Sequence, residues 1–473
     1  MNLLFPGLLL LLVWVPLPFA SNRPWAAALM VVLACLLASG AVLAYARGRI
    51  APTPALHSAR WAIALGTLWW LYIGLQSLTL PAQWIYAMSP HAHEAQRLAA
   101  LALGRTAPDA MTLSLDVHAT QEQWLRVLAY ACAFCLVLQL VDTRRKLEWL
   151  LMALVLSGVA QAVYGSVMVL SGTEYGFFIP KYVNQGLATG TFINRNHLAG
   201  YLNLCLAAGI GLMIAKLGGD AVHSWRQRLR SLVKLLLGEK TRLRIYLIIM
   251  VIALVLTRSR TGNTAFFAGT LVVGVLGLLL MRNAPRSTML FLASLIALDV
   301  LIVGTWFGVD QVAQRISQTE VSTNAEQVLP TEDRDEVSRI TLRHARDFLP
   351  AGSGAGSFDA VFPGYANGSF TGWVDYAHND YLQLLAESGA IGMACCGLIV
   401  LLAAWQAVTA MRRRNDPLMR GTAFGVTLAI CWLLIHSAVD FNMQIPANAM
   451  TMSVMLALAW VASTLRGDSA RPD

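Results

Sequence analysis

Apolar stretches of about 20 residues recur along most of this chain, the length at which an α-helix crosses the hydrocarbon core of a bilayer. Leu, Ala, Val and Gly dominate them, and no period-two alternation competes. Charged residues make up 13% of the 473, where soluble domains carry about 25%. Within lipid every backbone N–H and C=O must find a partner inside the chain, so such runs fold as helices. The pattern reads as an all-α, polytopic membrane protein with about 12 transmembrane helices. They fall near 3–19, 25–45, 61–80, 124–141, 147–170, 198–215, 245–257, 265–281, 288–308, 390–411, 421–439 and 447–465. The first lacks the basic flank and small-residue cleavage site of a signal peptide, and is read as a helix.

Basic residues set the orientation. With a cytoplasmic N-terminus, 22 of the 35 Lys and Arg fall in inner segments, so both termini are expected inside. The net charge of +9 calls for no nucleic acid. Arg226, Arg228, Arg230 and Lys234 in the 216–244 loop suit anionic membrane lipids. All seven cysteines lie inside expected spans, so no disulfide framework is indicated; Cys132 and Cys135 read as packing residues.

Two outer segments are long. Residues 81–122 combine aromatic side chains with an amphipathic stretch around Glu94–Leu103 and read as an interfacial helix. Residues 309–380 hold an amphipathic helix over Glu332–Phe348. Val337, Ile340, His344 and Phe348 lie near one of its faces, and Arg339, Arg343 and Arg346 on another. Gly352–Ser357 follows as a flexible turn; it lacks the Lys-Ser/Thr pair of a nucleotide P-loop. The expected organisation is helices one to nine over 1–308, a helical outer cap over 309–389, and helices ten to twelve with a short inner tail over 390–473.

Three polar clusters sit at outer helix ends. They are Thr191–His197, Thr257–Asn263 and the Tyr376-Ala377-His378-Asn379-Asp380-Tyr381 segment. Arg258 and Arg260 run against the inside bias. Arg at a helix end also snorkels to headgroups. The short seventh span, however, places these two below headgroup level, where guanidinium groups need anionic partners. A diphosphate is such a partner, and Arg195 between Asn194 and Asn196 offers the same chemistry. His378, with an ordinary pKa near 6.5, can accept a hydroxyl proton at neutral pH; capping the next helix is its structural alternative. No His, Asp or Glu spacing reads as a metal site, and no cofactor is called for. With no nucleotide motif on the inner side, chemistry outside must draw on a pre-activated substrate or a gradient.

These residues together resemble the bacterial O-antigen ligase and O-antigen polymerase family. The resemblance rests on His378-Asn379-Asp380-Tyr381-Leu382-Gln383 with Glu387 and Gly389-Ala390-Ile391-Gly392. Thr191–Gly200, Ser259-Arg260-Thr261-Gly262 and the stretch from Arg343 through Gly352-Ser353-Gly354 to Phe358 support it. It covers roughly residues 150–400. It implies a bacterial inner-membrane glycosyltransferase with a periplasmic active site, metal-independent and inverting. The donor would be an undecaprenyl-diphosphate-linked glycan and the acceptor a sugar hydroxyl of lipid A–core, completing lipopolysaccharide. On this reading Arg195, Arg258 and Arg260 hold the diphosphate and His378 acts on the acceptor hydroxyl. Asn196, Asn379 and Tyr381 orient groups, and Arg339, Arg343 and Arg346 meet acidic groups of the acceptor.

Polymerases and protein O-oligosaccharyltransferases share the donor. The eight residues after Leu465 leave no room for the extra carboxy-terminal domain expected of many protein-glycosylating relatives. A transporter or flippase is the reading from another class. It wants ionisable groups and broken helices at mid-membrane, and here most polar groups lie at the rim, with Asp299 the exception.

Overall fold

The computed structural model describes residues 3–217, 238–280, 289–294, 296–297, 334–366 and 373–465. Most of the ninth expected span with Asp299, the middle of the basic 216–244 stretch, residues 309–333 and the tail after Leu465 lie outside the described residues.

The described residues are mostly helical. It opens with α1 (Leu4–Trp14), α2 (Pro24–Ala46), α3 (Pro54–Ser58) and α4 (Arg60–Gln76). Two short helices, α5 (Ala82–Met88) and α6 (Pro90–Ala102), are bracketed by the antiparallel two-residue strands β1 (Leu80–Pro81) and β2 (Ala110–Met111). Then come α7 (Val117–Leu140) and α8 (Arg144–Ser171). A second small pair, β3 (Tyr175–Gly176) and β4 (Ile179–Pro180), leads to α9 (Arg195–Leu217), α10 (Glu239–Leu256) and α11 (Arg260–Leu280). The cap contributes α12 (Arg334–Phe348), α13 (Phe358–Val361) and α14 (Pro363–Ala366). The chain closes with α15 (Asp380–Arg413), α16 (Pro417–Ser437) and α17 (Pro446–Thr464).

Eight of these helices (α2, α7, α8, α9, α11, α15, α16 and α17) are long and apolar enough to cross a membrane. Eleven of the twelve expected spans coincide with helices, several of them with shifted ends; the tenth, Asp380–Arg413, starts ten residues before the expected 390. The first stops at Trp14 because Pro16 and Pro18 supply no amide to continue the ladder. Its 11 residues reach only about 16 Å, too short to span. The seventh starts earlier than expected, at Glu239, and runs for 18 residues with Lys240, Arg242 and Arg244 in its opening turns. The added turns are basic, so the apolar part of the helix remains short and the helix is not among the eight. Arg258 and Arg260 follow it and are exposed.

Local signals explain the helix starts. Pro occupies the first turn of α2, α16 and α17, where a missing amide costs nothing. Asp116, Thr143 and Asp416 cap α7, α8 and α16 with side-chain oxygens. The Arg144 guanidinium donates to Asp416 and ties two helix starts at the end of the bundle away from the polar clusters.

The centre is built by close backbone approach. In α16, Gly421 and Gly425 repeat at four residues and lie against Ala207 and Gly211 of α9. A Cβ at Gly421 would sit 2.2 Å from the Gly211 carbonyl oxygen, and one at Gly425 would sit 2.5 Å from that of Ala207. With no solvent-driven force between helices in lipid, such contacts carry the packing. Gly421→Ala is expected to cost about 1–3 kcal/mol by overpacking and to lower the thermal unfolding midpoint in detergent. Gly397→Ala, where the added carbon meets nothing within 4 Å, is expected to leave it unchanged.

Candidate functional site

The three polar clusters meet at one end of the bundle. The loop before α9 is pinned to α10, because the Ala188 amide donates to the Leu256 carbonyl at 3.0 Å. Thr191 donates to the carbonyl of Pro16 at 2.7 Å, and Gln161 of α8 holds its amide at 2.9 Å. Asn203 of α9 donates to the Gly262 carbonyl at 3.1 Å. Ser259 caps α11 by accepting from the Gly262 amide, while Arg258 turns the corner with φ +50°. These bonds set Arg195 beside Arg258 and Arg260.

Arg195 is half-buried, and the charges acting on it are the guanidinium groups of Arg334, Arg260 and Arg258 and the carboxylate of Asp440. Three positive neighbours and one negative leave a surplus of cationic charge. An anion with more than one negative charge would offset it.

Asp440 was not legible as a site residue. It lies in the turn between α16 and α17 and is fully buried. His197 Nε2 stands 3.7 Å from its Oδ1 and His436 Nε2 stands 3.9 Å from its Oδ2. Burial pushes the Asp440 carboxyl up, but His197, then His436 and Arg334, outweigh it and hold the group well below the usual carboxylate range. Arg334, at the start of α12, donates to the Val439 carbonyl at 3.2 Å and brings the cap to the same turn. The sequence signal was present in Asp440-Phe441-Asn442, a polar interruption between two apolar runs.

His378 enters through Phe441. That ring meets His378 edge-on at 4.9 Å, His197 edge-on at 4.6 Å, and stacks on Tyr376 at 4.3 Å. His378 is half-buried with φ +51°. The residues after it are occupied structurally. Asn379 caps α15 by accepting from the Tyr381 and Leu382 amides, and donates to the Ala438 carbonyl at 2.9 Å. Tyr381 donates to the Leu434 carbonyl at 2.7 Å. Asp380 accepts from Ser437 at 2.7 Å and from the Met443 amide, joining α15 to the Asp440 turn. Asn196 is half-buried, and its amide is bonded by Asn194.

Arg339, Arg343 and Arg346 lie on the exposed face of α12. Val337, Ile340, His344 and Phe348 are buried on the other, as the periodicity implied. Along the axis Arg339, Arg343 and Arg346 lie about 8, 14 and 18 Å from Arg334, so the row runs away from the arginines around Arg195. The Gly352–Ser357 turn is buried and hydrogen-bonded rather than flexible: Ser353 and Gly354 amides donate to the Ala386 and Glu387 carbonyls at 2.9 and 3.0 Å.

Beside Asp380, Glu387 and Ser437 opens a cavity of about 670 Å³, walled mainly by apolar side chains of α4, α7, α15 and α17, with Trp69, Trp70 and Phe134 among them. The fold and site together define a polytopic helical membrane protein with a cationic, imidazole-bearing site at one end. A family model described as O-antigen ligase matches residues 245–397, from α10 into α15, and so includes Arg258, Arg260 and His378. Over that segment the chain is similar to the O-antigen ligase family. A comparison with curated proteins returned no match.

His344 supplies a test of how the cap is held. Its Nε2 lies 2.9 Å from Ser353 Oγ, and its ring stacks on Tyr365 at 5.4 Å. Burial pushes the imidazole down to about 4 from 6.5, with Asp347 opposing. The folded ring is thus neutral where the unfolded one is protonated. Its contribution is whole above pH 6.5 and is lost as pH falls toward 4, amounting to about 3 kcal/mol. Thermal unfolding in detergent should weaken over that window, and His344→Gln should flatten the dependence.

Proposed function

We propose that this protein transfers a glycan from undecaprenyl diphosphate to a sugar hydroxyl of lipid A–core at the periplasmic face of a bacterial inner membrane. The observation that supports the reading is that Arg195, with Arg258 and Arg260 beside it, acts on Asp440 while His378 packs on the adjoining Phe441. The guanidinium groups hold the diphosphate, and their charge stabilises the negative charge that grows on it as the glycosidic C–O bond breaks. His378 orients the acceptor hydroxyl and accepts its proton as the oxygen attacks the anomeric carbon from the opposite side. The products are the ligated glycan and free undecaprenyl diphosphate. The apolar cavity beside Asp380 gives a substrate lipid chain a place close to the reacting groups. The cap spanning 309–389, with Arg339, Arg343 and Arg346 exposed on α12, is where acidic groups of the acceptor dock.

The test is transfer from a purified lipid-diphosphate glycan to lipid A–core in liposomes without an ion gradient. His378→Ala is expected to lower kcat by roughly 10²–10⁴-fold with protein level unchanged. Arg258→Ala combined with Arg260→Ala should weaken donor binding by about 10–100-fold. Retained transfer by the His378 variant removes its role, and unchanged donor affinity removes that of the arginines. Transfer to a second lipid-linked repeat in place of lipid A–core would make the enzyme a polymerase. Dependence on a gradient, with no glycan attached, would make it a transporter.

A further inference from the structure

His378 holds a left-handed backbone conformation, φ +51°. A non-glycine residue stays there only where its surroundings over-determine it. The surroundings form a chain of hydrogen bonds that begins in the cap. The Gly356 amide donates to Glu387 Oε2 at 2.8 Å, with the Phe358 amide also on this carboxylate. Gln383, one turn earlier in α15, donates from Nε2 to Glu387 Oε1 at 2.9 Å. The other end of the same amide, Gln383 Oε1, accepts from the amide of Ala377 at 3.1 Å. Ala377 immediately precedes His378, and Ala377, Gln383 and Glu387 are all buried.

The direction of each bond is forced. A main-chain N–H only donates, so Ala377 compels the Gln383 amide to present its oxygen to Ala377 and its nitrogen to Glu387. Glu387 is itself fixed, because its carbonyl accepts from the Gln76 side chain at 3.1 Å and from the Gly354 amide at 3.0 Å. The cap turn is therefore wired, through two side chains, to the peptide that aims the His378 ring.

We infer that Glu387 and Gln383 are positioning residues for His378, fixing the 377–378 peptide through a directed hydrogen-bond chain anchored on the cap turn. Neither reaches the reacting atoms in this role; they act through the backbone. The inference rests on the transfer reading for its kinetic arm only.

An exchange of the two residues tests it. Glu387→Gln alone leaves one acceptor oxygen where two are used, so its nitrogen faces either the Gly356 amide or the Gln383 amide and one link of the chain is lost. Gln383→Glu alone sets two carboxylates against each other. The double exchange restores all three bonds: Gln at 387 donates to Glu at 383 and accepts from Gly356, and Glu at 383 accepts from Ala377. Each single variant is expected to lower kcat about tenfold with donor KM within about twofold, and the double variant to return to within about threefold of the parent. Diethyl pyrocarbonate labelling, mapped to the His378 peptide by mass spectrometry, should run about threefold faster in each single variant and at the parental rate in the double. The labelling decides the matter even if the parent shows no glycan transfer, in which case only the proposed reaction fails. Single variants that match the parent in labelling, or a double variant as perturbed as the worse single, would overturn the assignment.

Discussion

The broken helix at Gly389 is the constraint on which the rest of the site depends. α15 is interrupted there, with φ +62° and ψ −162°, and the break leaves main-chain groups without their helical partners. Buried, each such group costs a substantial part of a hydrogen bond's worth. The cap turn supplies the missing partners: the Ala390 amide donates to the Pro350 carbonyl at 3.0 Å, and Ser353 and Gly354 donate back into the free carbonyls. The fit is possible only without side chains. A Cβ at Gly389 would lie 2.1 Å from the Pro350 oxygen, and one at Gly352 would lie 2.3 Å from that of Glu387. Gln76 of α4 then locks both strands of chain, donating to Ala351 and Glu387 and accepting from Ala355.

What this joint does is hold residues 380–388 as a short, separately aimed piece of helix. Asn379 starts it and His378 precedes it. Asp380 fastens it to the turn after α16. That turn in turn carries Asp440 and Phe441, which meet His197 at the head of α9. The cationic end of α9 and α11 and the imidazole of His378 thus share a single buried hub. Its carboxylate is buried and hemmed in by two imidazoles and a guanidinium, which hold it below the usual carboxylate range.

Much of this was legible in the residue order. The helical class, the location of eleven apolar helices and the amphipathic face of α12 all follow from periodicity, which burial in lipid and against the core enforces. The three polar clusters stood out because charge beside an apolar run is costly. Helix lengths were less legible. Nothing in hydropathy marks that α10 begins at Glu239, since its first turns are basic, and nothing flags that α1 ends at Trp14 except the prolines behind it. The Gly352–Ser357 segment read as flexible because glycine permits both mobility and close approach. Only its partners, Glu387 and Gln76, decide for the second.

By itself the sequence determined a bundle of apolar helices, which ends of them carry arginine, histidine and asparagine, and the likeness of 245–397 to the O-antigen ligase family. These are properties of composition and spacing along one dimension. Tertiary structure alone decided that Asp440 lies beside His197, that Arg334 joins Arg195, and that the Gly356 turn reaches Glu387. Those pairings arise where separate helix ends are packed against one another. Their distances are fixed by backbone contact at glycines and by the need to satisfy every buried polar group, and neither constraint is local in the chain.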